Sequence, residues 1–140
     1  MTKVLFVCEG NMIRSPMAEG FYDYYTGTHD AKSAGAGVTL AEEEASSGPF
    51  PDVVAAMHEK SIDISDSLRQ RVTDAMVRDA DIIVTFPTPM MPESIRNNPK
   101  TEHWDISDPY YMPDDGQNYI ERARDQIDVR VKELIERTKA

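Results

Sequence analysis

Lys3-Val4-Leu5-Phe6-Val7-Cys8-Glu9-Gly10-Asn11-Met12-Ile13-Arg14-Ser15-Pro16-Met17 is the stretch on which the fold turns. Lys3 to Val7 is a short apolar, β-branched run that stops at Cys8-Glu9-Gly10-Asn11, so it reads as a buried strand entering a tight loop. Beyond the loop the pattern becomes helical. Ser15 suits an N-cap and Pro16 the first helical position, and Met17, Phe21, Tyr24 and Tyr25 recur on one face. Strand, loop and helix in that order open a βαβ unit.

Working outward, Ala31 to Gly35 supplies a second, weaker strand. From Gly35 through Glu42-Glu43-Glu44 to Pro49 and Pro51 the chain reads as an irregular loop with room for one helical turn. Helices are predicted over Asp52 to Lys60 and Arg69 to Asp79, and Asp81-Ile82-Ile83-Val84-Thr85-Phe86 reads as a central strand. Pro87, Pro89 and Pro92 break the chain, a last strand lies near His103 to Ile106, and a long closing helix follows Asp114-Asp115-Gly116. In that helix Ile120, Ala123, Ile127, Val131, Leu134 and Ile135 form one stripe. The predicted fold class is therefore α/β: a single domain over 1–140, a three-layer sandwich with a central four-stranded parallel sheet and helices on both faces. Ligands of such sheets bind outside the carboxyl ends of the strands, where the Cys8 to Arg14 loop and Asp108 would both lie.

Composition narrows the function classes. The 140 residues, 40% hydrophobic and 29% charged, match an ordinary globular chain able to bury its own core. A net charge of −10 argues against nucleic acid or an anionic membrane as partner, since both need clustered Lys and Arg. The apolar run at the N-terminus is short for a signal peptide, and no run is long enough for a membrane span, so the expected location is cytoplasmic. One cysteine excludes an intrachain disulfide. His29, His58 and His103 are too scattered to suggest zinc, and Asp114-Asp115 reads as a helix cap rather than a magnesium site, so neither metal nor cofactor is expected.

The chemistry concentrates in the first loop. Cys8 and Arg14 stand at its two ends, six positions apart, and that pairing suits a tetrahedral dianion. Backbone N–H groups of Glu9, Gly10, Asn11, Met12 and Ile13 can converge on oxyanion oxygens, the helix N-terminus adds partial positive charge, and Arg14 offers a bidentate fork. Gly10 permits close turning, and Asn11 tolerates a left-handed conformation while its amide holds the loop. A thiolate is the nucleophile, so the loop amides and the Ser15 hydroxyl must favour that form of Cys8. A lone cysteine at the end of an apolar strand is more often a small buried hydrophobe, but Gly, Asn, Arg and Ser at these offsets decide for the nucleophile.

These residues resemble the low-molecular-weight protein tyrosine phosphatases together with the arsenate reductases that share their fold. The resemblance spans nearly the whole chain. It runs from the C-x5-R-S loop and Pro16-Met17-Ala18-Glu19 through Ser33-Ala34-Gly35, Ile62-Asp63-Ile64-Ser65 and Ala80-Asp81-Ile82-Ile83-Val84 to Asp108-Pro109-Tyr110-Tyr111. It implies that residues 1–140 form one catalytic domain with Cys8 as nucleophile, Arg14 as oxyanion clamp and Asp108 as general acid. Tyr110 and Tyr111 match the aromatic pair that can wall the cleft. The implied reaction is hydrolysis of phosphate monoesters, as in protein phosphotyrosine or aryl phosphates, through a phosphocysteine.

Three features depart from that pattern. Glu9 adjoins the nucleophile, where it would repel a bound anion unless its side chain turns away. Val38 to Phe50 matches poorly where the family grips its substrate, although Phe50 could serve. No second cysteine exists for a disulfide relay, and Thr85, Phe86 and Pro87 stand where one would be sought. The alternative is then an arsenate reductase drawing on an external small thiol of the mycothiol or glutathione type, toward which Glu102-His103-Trp104 and Arg124 to Asp128 lean. A domain that binds phosphate without turnover is the minor alternative. The implied partners are a phosphorylated protein or a small phosphate or arsenate oxyanion, with an external thiol reductant in the second case.

Overall fold

The computed structural model describes residues 2–139. Its first strand, β1 (Val4–Cys8), is buried at every position. Side chains alternate across a strand, so Val4, Phe6 and Cys8 join one hydrophobic cluster while Leu5 and Val7 join another on the opposite face. Burial on both faces demands a covering layer on each.

The covering elements follow in chain order: α1 (Arg14–Thr26), β2 (Ala31–Gly35), α2 (Leu40–Glu44), α3 (Pro51–His58), α4 (Asp74–Asp79), β3 (Ile82–Thr85), α5 (Glu93–Arg96), β4 (Thr101–His103) and α6 (Tyr119–Thr138). The four strands are all parallel in the order β2-β1-β3-β4, with Val4 between Ala31 and Ile82 and Cys8 beside Gly35. This is the four-stranded α/β sandwich that the sequence predicts. Helices α1, α3 and α6 cover the Phe6 face through Phe21, Met57 and Ile127, each fully buried and worth roughly 1.5–3 kcal/mol. The α6 stripe is as expected, with Ala123, Ile127, Val131 and Leu134 buried. Met76, Val77 and Ile95 of α4 and α5 cover the other face. No helix among the described residues is long and apolar enough to cross a membrane.

Several expectations shift. Helix α1 begins at Arg14, so Ser15 lies inside its first turn and caps nothing; its hydroxyl is spent on Cys8 instead. The helix predicted from Arg69 starts only at Asp74, capped by Thr73, whose hydroxyl accepts from the Met76 N–H at 3.2 Å. Residues before it run extended because the end of β2 takes their hydrogen bonds: Gly35 N–H donates to Gln70 O at 2.9 Å and Val72 N–H to Gly35 O at 3.3 Å. Strand β4 lies two residues earlier than predicted, and beyond it only the Trp104 N–H still reaches β3, at Thr85 O. Pro92 precedes the unforeseen α5, a position where the missing N–H costs nothing. Asp115 does not cap α6; it accepts from the Gln117 N–H and the Tyr119 hydroxyl in the preceding turn.

Candidate functional site

The carboxyl ends of β1, β3 and β4 open onto one edge of the sheet, and the segments leaving them, Glu9 to Ile13, Phe86 to Pro87 and Trp104 to Asp108, meet there. Cys8 is only 3% exposed, at the base of a cleft of about 340 Å³. Its Sγ lies 3.0 Å from Ser15 Oγ and accepts from the Asn11 N–H at 3.3 Å.

Asn11 organises the loop and has the left-handed φ of 54° expected of it. The Gln70 N–H can only donate, so the Asn11 atom it meets at 2.9 Å is the carbonyl Oδ1. The amide Nδ2 therefore faces Ser15 Oγ at 2.8 Å and Ser33 Oγ at 3.1 Å and donates to both. With its oxygen occupied as acceptor, Ser15 is free to turn its proton toward Cys8 Sγ, a nearer acceptor than Ala34 O at 3.5 Å. Ser33 in turn donates to Glu19 at 2.8 Å. Burial, partly offset by that Ser33 bond and reinforced by Asp23, pushes Glu19 up to about 7.

Gly35 is where a glycine is obligatory. A Cβ there would stand 2.7 Å from Glu9 O and 2.4 Å from a Val38 methyl, so β2 could not press against the loop. Ala36 and Gly37 donate to the Cys8 and Glu9 carbonyls at 2.8 and 2.9 Å. Gly10, by contrast, has no positive φ, and a Cβ there would meet Arg69 at an ordinary 3.5 Å.

Arg14, 1% exposed, is locked from three sides. One terminal nitrogen donates to Pro87 O and Ile106 O at 3.0 Å each, and the other to Asp108 Oδ2 at 3.2 Å. The guanidinium carbon sits 5.6 Å from the Phe86 ring centroid. Asp108 also accepts the Tyr110 N–H at 3.0 Å, which opens a 3-10 turn at Pro109–Tyr111. Thiol, guanidinium and carboxyl therefore line a single cleft.

Of the other predicted binding residues, Glu9, Gly10, Met12, Ile13, Tyr110 and Tyr111 line the cleft, whereas Asn11 and Ser15 stand behind it as supports. Tyr110 and Tyr111 are largely exposed. Phe50 joins them: its ring stacks on Tyr110 at 6.1 Å and 9°, and Tyr110 meets Tyr111 edge-on at 5.1 Å. Glu9 keeps its carboxylate in the cleft, where the Thr88 hydroxyl donates to one oxygen at 2.8 Å and the Tyr111 hydroxyl donates to the other. That bond raises the Tyr111 phenol above its usual value.

Sequence reading missed Arg69 and Glu42. Arg69 Nε donates to Gly10 O at 2.8 Å while its Nη1 pairs with Glu42 at 3.1 Å. The Thr39 N–H holds the Glu42 carboxyl below its usual range, with Arg69 adding to the effect. In the same run Glu43 accepts from the Arg71 N–H at 2.8 Å and anchors α2. Thr85, where a second thiol was sought, bonds His103, and Phe86 is buried under Arg14.

Comparison with known proteins agrees with this geometry. The family model described as low molecular weight phosphotyrosine protein phosphatase matches residues 3–140. An arsenate reductase of Bacillus subtilis is 32% identical over 142 residues, covering 95% of this chain and 94% of its own. A low molecular weight protein tyrosine phosphatase from T. tengcongensis superposes with a TM-score of 0.78 at 26% identity, over 98% of this chain and 99% of that one. An arsenate reductase in the phosphate binding state gives 0.76 at 29% identity, over 99% and 100%.

Proposed function

Because the chain belongs to the low molecular weight phosphotyrosine protein phosphatase family, an enzyme family that includes arsenate reductases, we propose that residues 1–140 form one catalytic domain that hydrolyses phosphate monoesters, protein phosphotyrosine or aryl phosphates, through a phosphocysteine. The observation that carries this reading is that Cys8, Arg14 and Asp108 meet in a cleft walled by Tyr110 and Tyr111 while the chain holds no other cysteine. In the first step the Cys8 thiolate attacks phosphorus, the ester P–O bond breaks, and Asp108 gives its proton to the departing oxygen. Arg14 and the loop N–H groups neutralise the equatorial oxygens. In the second step Asp108 takes a proton from water as its oxygen attacks phosphorus, the S–P bond breaks, and the thiolate returns with release of phosphate. The Asn11–Ser15 pair supports the thiolate at both stages.

A second reading keeps a specific observation in its favour: several curated relatives that match over nearly the full chain are arsenate reductases. With Cys8 alone, the chain would form its arsenate adduct and pass it to an external monothiol of the mycothiol or glutathione class. The stretches that lean toward the reductases serve packing here. Trp104 sits against Phe6 and Phe86, and Arg124 ties α6 to Ala56 O and Glu59. The two readings separate in parallel assays of aryl phosphate hydrolysis and of arsenate reduction with added glutathione or mycothiol, each on the intact chain and on Cys8→Ser. Hydrolysis lost in Cys8→Ser supports the phosphatase; thiol-dependent arsenate reduction with negligible hydrolysis overturns it.

A further inference from the structure

Three carboxylates and two guanidiniums line the cleft. Asp108 pairs with Arg14 at 3.2 Å and Glu42 with Arg69 at 3.1 Å. Glu9 is left over: among the described residues it makes no ion pair, and its carboxylate is held only by the neutral hydroxyls of Thr88 and Tyr111. Those two bonds fix it one residue from the nucleophile on the wall that also carries the acid-bearing turn, and it cannot swing out without breaking both. A fixed, uncompensated negative charge beside a dianion site weakens binding of any phosphate that brings no cation. The same charge favours a substrate that does bring one. The aromatic wall of Phe50, Tyr110 and Tyr111 adds ring faces suited to a guanidinium or ammonium. The chain as a whole, at −10, repels acidic segments in the same sense.

We propose that Glu9 makes the mouth of the cleft selective for phosphate monoesters carrying a positive charge next to the ester, namely phosphotyrosine segments flanked by arginine or lysine. The inference rests on the phosphatase reading for its substrate class, and it is tested by binding so that it does not depend on turnover. The Cys8→Ser chain is titrated at low salt with two phosphotyrosine peptides, identical except that the flanking residues are arginine in one and glutamate in the other. Exchanging the flanking charge changes the Glu9 interaction from attraction to repulsion, so the arginine peptide should bind roughly tenfold tighter, and the gap should shrink at high salt. Adding Glu9→Gln, which keeps an oxygen for one hydroxyl, should bring the two peptides within about twofold, since the Coulomb contrast is gone. The same variant should bind inorganic phosphate at least as tightly as its parent, which also shows that the loop is intact. Equal affinity for both peptides in the parent, no binding of either, or a preference that survives Glu9→Gln and high salt would overturn the proposal. Hydrolysis of an aryl phosphate by the intact chain, measured separately, reports on the phosphatase reading alone.

Discussion

Glu19→Gln should make the protein more stable at alkaline pH and leave it nearly unchanged in acid. Glu19 lies behind the Cys8 to Arg14 loop, accepts from Ser33, and is driven from 4.5 to about 7 chiefly by burial, with the Ser33 bond opposing and Asp23 reinforcing. A carboxyl whose folded value is raised binds its proton more tightly when folded. Its stabilisation is complete below 4.5, the unfolded value, and is lost as pH climbs to about 7, above which the native state bears a buried charge. The rise of about 2.5 units, at about 1.4 kcal/mol each, amounts to about 3 kcal/mol. Glutamine keeps an oxygen for the Ser33 hydroxyl and cannot ionise, so it mimics the protonated form at every pH. Urea unfolding at pH 5 and pH 8 reads the effect, and subtracting parent from variant cancels the other titrating groups. The variant should gain about 2–3 kcal/mol over the parent between those two pH values. A difference independent of pH, or a parent that gains on the variant as pH rises, would refute the burial argument.

Two other substitutions test separate links. Asn11→Ala removes two buried hydrogen bonds and one partly buried one and places alanine at φ 54°, so unfolding should become easier by roughly 2–4 kcal/mol, with aryl phosphate turnover falling even where the protein remains folded. Retained stability would show that Asn11 does not hold the loop. Asp108→Asn should slow hydrolysis of esters with poor leaving groups by about 100-fold or more while sparing good ones, read as kcat across a leaving-group series. Equal losses would leave Asp108 as a partner of Arg14 and nothing else.

How far the sequence revealed this arrangement differs from one feature to another. The sheet was legible because β1 alternates nothing polar between two cores, a pattern that only a covered parallel strand sustains. The left-handed Asn11 was legible from its residue type in a tight loop, and the convergence of Cys8, Arg14 and Asp108 from the sheet edge at which their loops emerge, together with the family resemblance that singled out Asp108. Residues 69–73 were misread because Val72, Ala75 and Met76 carry a helical spacing, yet Gly35 and Asn11 offer the backbone better partners than its own next turn. Ser15 was misplaced for a related reason. A serine before proline is an N-cap by local rule, but here its hydroxyl serves a sulfur seven residues away. Arg69 with Glu42, and Glu9 with Tyr111, join residues 27 and 102 positions apart, and no local pattern announces such pairs.

The central claim is that Cys8 itself becomes phosphorylated, and the direct measurement is to catch it. Asp108→Ala should form the adduct from an aryl phosphate with a good leaving group but lack the base that helps water remove it, so the intermediate should accumulate. Quenching in acid during turnover and taking the mass of the intact chain should find one added phosphoryl group, mapped to Cys8 and absent from Cys8→Ser. Turnover of the aryl phosphate with no phosphoryl group on Cys8 at any quench time would contradict the account.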